Sequence, residues 1–155
     1  MVKLEDIVGV IQGLKGRTTD IVYDLFFSEK RVVAAVVLYF SDLADIYKKF
    51  NLGTMLFGNL GERREVKVRS LRLMDERRLA LKDKTLDEIL TLHGANLEID
   101  YENIVSVSIR KGLLETSLEF VVQGHPGKKI NFWLEKRQVA EVEGLINRVL
   151  PDKVK

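Results

Sequence analysis

The stretch Ile99–Pro151, IDYENIVSVSIRKGLLETSLEFVVQGHPGKKINFWLEKRQVAEVEGLINRVLP, decides the fold. Apolar and polar residues alternate through most of it. Val105, Val107 and Ile109 oppose Ser106, Ser108 and Arg110; Leu118, Phe120 and Val122 oppose Ser117, Glu119 and Val121. Ile130, Phe132 and Leu134 oppose Asn131, Trp133 and Glu135. Successive strand side chains point to opposite faces, so this pattern predicts strands with one buried face and one wet face. A further strand precedes them, with Leu97, Ile99 and Tyr101 on one face. KGLLET and QGHPGK supply the turns. From about Lys136 to Leu150 the period becomes helical, with Val139, Val142, Ile146 and Val149 as a stripe and Pro151 beyond the end.

Working outward, the first forty residues predict a three-stranded antiparallel meander. DIVGVIQG leads to an expected turn at Gly13–Gly16, TTDIVYDLFF follows, and SEKR connects it to RVVAAVVLYF. Ile21, Tyr23, Leu25 and Phe27 share a face, yet Val22 and Phe26 add apolar weight to the other. Val32 to Phe40 is apolar at every position. A half-solvated strand alternates, so this run predicts cover on both faces.

The middle of the chain changes period. Ser41 is the expected N-cap of a helix carrying Leu43, Ile46, Tyr47 and Phe50 at i, i+3, i+4 and i+7. NLGTMLFGNLG reads as an apolar loop punctuated by glycine. The charged run after it predicts a helix over about 62–82, although EVKVRSLRL also alternates like a strand, and a short helix over 86–92 stopped by Gly94. An excursion of this length, about 41–96, is too long for a structureless loop. Its apolar stripe is expected to cover the outer face of the N-terminal strands, with a subunit contact on that face as the rival reading.

Seven strands closed by an amphipathic C-terminal helix resemble the pleckstrin-homology-like (PH-like) barrel. LEIDYENIVSVSIRKG and KINFWLEKRQVAEVEGLINRVL are similar to the second half of bacterial and archaeal PH-like domains, and IVYDLFFSEKRVVAA to the first half. The expectation is a single α+β domain over 1–155, an antiparallel barrel or sandwich with a C-terminal capping helix and a mid-chain helical insertion. The resemblance implies a binding module for lipid headgroups, peptides or self-assembly. Eukaryotic phosphoinositide binders place several basic residues on the first hairpin; here LKGRTTD offers Lys15 and Arg17 and lacks the third.

Composition narrows the chemistry. The 155 residues are 46% hydrophobic and 31% charged, the balance of one globular domain. A net charge of +2 makes any basic surface local. The absence of cysteine removes disulfides, thiolate nucleophiles and Cys-ligated zinc. Glu5 and Asp6 interrupt any signal-peptide core, and the longest apolar run falls short of the ~20 residues that a spanning helix needs. The expected location is cytoplasmic, with the inner membrane face as a peripheral alternative. His93 and His125, the two histidines, lack the HxH or HExxH spacing of a ligand pair and read as a helix end and a turn. GNLGER lacks a phosphate-loop Lys-Ser/Thr, and no GxSxG elbow occurs. The expectation is therefore no enzyme, no metal and no cofactor.

Two surfaces remain as candidates. Met55, Leu56, Phe57 and Leu60 form an apolar loop suited to a partner, a second copy or a membrane, with Trp133 as a further contact. Residues 62–84 hold nine Lys/Arg against five acids, leaving +4. Arg63, Arg64, Lys67 and Arg69, with Lys15 and Arg17, are the candidates for anionic headgroups. The bland reading of that run is a solvated helix face. Trp133 stands near Glu119 and Glu135, which argues against nucleic acid.

Overall fold

A computed structural model describes residues 5–16, 20–48, 60–124 and 127–155. Seven antiparallel strands form one sheet: β1 (Ile7–Gly16), β2 (Val22–Ser28), β3 (Arg31–Leu38), β4 (Leu97–Asp100), β5 (Ile104–Lys111), β6 (Thr116–Val122) and β7 (Lys128–Leu134). Their spatial order is β4-β3-β2-β1-β7-β6-β5. Among the described residues the α-helices are α1 (Phe40–Lys48), α2 (Leu60–Leu81), α3 (Leu86–Leu92) and α4 (Val139–Val149). Among the described residues, no helix is long and apolar enough to cross a membrane.

The sheet wraps a core that α4 completes. Phe27, Phe120 and Phe132 are buried with Val142, Ile146 and Leu150, and Tyr23 meets Phe132 edge-on at 5.6 Å between ring centres. Helix α4 seats closely over β1, because a Cβ built at Gly9 would lie 2.5 Å from the Leu145 side chain. The barrel expectation needs correction, since the sheet stays open. β5 gives its free edge to the chain that follows α4: Val107 N–H donates to Lys153 O, and Lys155 N–H donates to Val107 O. A closing strand has no such partners left at Val107.

Strand β3 has the double cover that its sequence predicts. Val32, Ala34 and Val36 enter the main core. Val33, Ala35 and Val37 pack on the opposite face against Leu81, Leu86 and Ile89, so α2 and α3 form a lid over the early strands. EVKVRSLRL is helical throughout.

Three local expectations fail for physical reasons. Gly13–Gly16 is not a turn, because β1 runs on to Gly16 through a bulge. Ile11 and Leu14 are both buried although three positions apart, and the bulge between them, with Gly13 at φ +75°, resets the alternation. A second irregularity between Ile104 and Ser106 buries Ile104 and Val107 and turns Val105 outward, 49% exposed. Ser41 lies inside the first turn of α1; the chain enters at Tyr39, whose N–H donates to Asp42 Oδ2.

Candidate functional site

Helix α2 crosses β3 and leaves the outer strip of β1 and β2 incompletely covered. The result is a cleft of about 480 Å³. Ile7 and Val10 of β1, Phe26 of β2, Leu79 and Leu81 of α2, and Ile89 of α3 supply its apolar walls. Phe26 is only half-buried, Ile7 is 45% exposed and Leu79 is 70% exposed. Apolar groups of this size concentrated in one concavity mark a contact site far better than single exposed leucines do.

The floor is ionic and satisfied. Asp24, 1% exposed, accepts from Arg78 Nε at 2.7 Å, Arg78 Nη2 at 2.9 Å and Gly13 N–H at 2.9 Å. The hydrogen bonds that Arg78 donates to Asp24 outweigh burial and raise the Arg78 pKa further, so the guanidinium stays charged. These charges hold α2 on the sheet; Gln12 and Asp75 add polar groups to the lining, and Asp75 lies 3.5 Å from Arg78. Lys82 and Lys84 stand on the rim, and among the described residues neither ammonium has an ion-pair partner. The concavity therefore suits an apolar segment that also carries a carboxylate.

The neighbouring residue repeats the device. Arg77 donates to both oxygens of Asp42, at 2.5 and 2.7 Å, and ties α2 to α1. The Arg77 hydrogen bonds hold the Asp42 carboxyl below its ordinary range against the opposing effect of burial. Arg31, 14% exposed, binds Glu5 at 2.8 Å, Asp87 at 2.9 Å and Glu98 at 3.5 Å, joining the N-terminal segment, α3 and β4. Burial pushes the Glu5 carboxyl up, but hydrogen bonds from Ser28 and Arg31 leave it lowered overall.

The sequence-derived candidates are scattered. Met55, Leu56, Phe57, Arg17 and His125 lie outside the described residues; Leu60 opens α2, its side chain likewise outside. Arg63, Arg64 and Lys67 are exposed on the first half of α2, where Arg69 pairs with Glu65 at 2.8 Å. Lys15 lies near the end of β1, between Val22 of β2 and Trp133 of β7. Arg78 lies near Gly13, and Arg63 is roughly 22 Å farther along the helix at 1.5 Å per residue. Arg63 thus stands well away from the Arg78 end of α2, where Gly13 lies. Glu119 is not a wet-face acid; it is 3% exposed and meets Arg110 at 3.0 Å. His93 Nδ1 accepts from Ala95 N–H at 2.9 Å and its ring lies 4.8 Å from Tyr39, a helix-end role.

No protein-family model and no curated protein matches this sequence.

Sequence reasoning did not nominate the cleft. Phe26 gave a signal, as an apolar residue on the outward face of β2. Leu79 gave another, because it falls off the α2 face marked by Val66, Ser70, Met74 and Leu81.

Proposed function

We propose that this chain is a non-enzymatic protein-docking module of PH-like kind, acting through its helical insertion. Seven antiparallel strands and an amphipathic terminal helix over the core support the architectural part of that reading. The observation that carries the functional part is the half-open apolar cleft between α2 and the β1–β2 strip, with Lys82 and Lys84, which have no ion-pair partner among the described residues, on its rim. Its occupant is an apolar segment of a partner protein bearing Asp or Glu. The apolar side chains supply the affinity, and the lysines set orientation and reject basic segments.

Selection of a random peptide library on the immobilised protein tests the reading. Enriched peptides should combine apolar residues with Asp or Glu. A synthetic winner should lose at least about tenfold in affinity on Leu79→Asp, which places a charge in the apolar wall. It should lose severalfold on Lys82→Glu with Lys84→Glu, and nothing on Arg63→Glu. Peptides indifferent to Leu79→Asp, or no enrichment at all, would overturn the proposal. Sedimentation at rising concentration shows whether a second copy competes for the same cleft.

A further inference from the structure

Leu113 and Leu114 are the most exposed large apolar residues described, at 105% and 97% of reference area, on the tip of the β5–β6 hairpin. The turn that carries them is closed tightly. Gly112 N–H donates to Glu115 O at 2.7 Å, and a Cβ at Gly112 would sit 2.9 Å from that oxygen. Such a turn holds both leucines away from the body of the protein. Behind them a shallow cleft reaches Trp133. Strand register places Trp133 in one cross-strand row with Lys15 on β1, Ser117 on β6 and, beyond it, Arg110 on β5.

We propose that this tip is a lipid-surface anchor, distinct from the protein-docking cleft. Leu113 and Leu114 enter the acyl boundary of a bilayer, Trp133 lies at headgroup depth, and Lys15, Arg110 and Lys111 face the phosphates. Three considerations favour a bilayer over a protein partner. The tip is convex, and its apolar surface is on the order of a few hundred Å². A specific protein interface needs about 1,000 Å² with matched shape, whereas a bilayer needs no matching pocket. Tryptophan beside protruding aliphatic groups suits the boundary, where one end is apolar and the other wet. The charges fit as well: Glu119 is buried behind Arg110, and the exposed Lys15–Asp20 pair at 3.2 Å exchanges readily with solvent or phosphate. Glu115 offsets one cation at the turn, so insertion of the leucines carries most of the affinity, and salt weakens only the part that phosphatidylserine adds.

Trp133 is the chain's single tryptophan, so its emission reports the tip directly. The full chain is titrated with vesicles of phosphatidylcholine, with and without phosphatidylserine. Emission should shift to the blue with both, at lower lipid concentration with phosphatidylserine, and bromine-labelled acyl chains should quench it. Leu113→Ser with Leu114→Ser should weaken partitioning by about a hundredfold, roughly tenfold per leucine. Both side chains are fully exposed, so an unchanged far-UV spectrum checks that this variant folds. Emission unmoved by lipid, or a double-serine variant that partitions like the wild type, would overturn the proposal. A blue shift that appears with rising protein concentration alone would overturn it in favour of a protein contact at the tip.

Discussion

At the scale of residues, two adjacent arginines on α2 do different work from the charges around them. Arg77 and Arg78 sit in a run that reads as a solvated helix face, yet each makes a two-pronged contact with a buried or half-buried aspartate. Their partners, Asp42 and Asp24, lie 35 and 54 positions away in sequence, beyond any helical spacing rule. That distance is why the pairs were illegible. Arg78→Ala strands the Asp24 carboxylate, which is 1% exposed, and should cost about 3–5 kcal/mol in urea unfolding. Arg78→Lys should recover only part, because one ammonium cannot replace the planar fork. An Arg78→Ala loss below about 1 kcal/mol would mean that water reaches the carboxylate.

Asp42 sets a pH dependence of definite sign. Its carboxyl titrates below the ordinary value in the folded chain, through the Arg77 hydrogen bonds. The stabilisation is therefore complete above the unfolded value, about 4, and is lost as pH falls through the lower folded value. Glu5, also lowered, acts in the same direction. Denaturant midpoints measured from neutral to acid pH should fall less steeply in Asp42→Asn than in the wild type. Equal slopes would remove Asp42 from the account.

At the scale of elements, composition and period were most informative where burial is complete. The unbroken apolar run of β3 predicts cover on both faces, and Val33, Ala35 and Val37 have it from α2 and α3. Ile89, 1% exposed on the underside of that lid, should cost about 2–5 kcal/mol when cut to Ala. Leu79, 70% exposed on the cleft wall, should change stability by less than about 0.5 kcal/mol when cut to Ala. Paired unfolding curves of Ile89→Ala and Leu79→Ala check this contrast; comparable losses would mean that Leu79 belongs to the core. Period failed where a bulge intervenes. Gly13 looked like a turn because its left-handed backbone serves equally in a bulge, and the Asp24 contact that fixes it comes from the next strand. Val105 was misplaced for the same reason, one residue before the alternation resets. The hairpin leucines were legible in KGLLET as two apolar residues where turn polarity is expected, but alternation alone says nothing of a turn's exposure.

At the scale of the whole molecule, the open sheet separates two surfaces. β1 belongs to both: its early residues Ile7 and Val10 line the docking cleft, and its last residues pair with β7 beside Trp133. A chain that held a partner segment at one surface and a bilayer at the other, as proposed, would work as an adaptor. The two functions should be separable. Leu113→Ser with Leu114→Ser should leave peptide affinity unchanged, and Leu79→Asp should leave vesicle partitioning unchanged; cross-effects in either direction would mean one shared surface.

Methyl NMR with a selected peptide shows whether the cleft beneath α2 receives the partner segment. Saturable shifts are expected at Ile7, Val10, Leu79 and Ile89, with Leu113 and Leu114 unmoved. Shifts centred on the hairpin leucines or on α4, with those four methyls still, would contradict it.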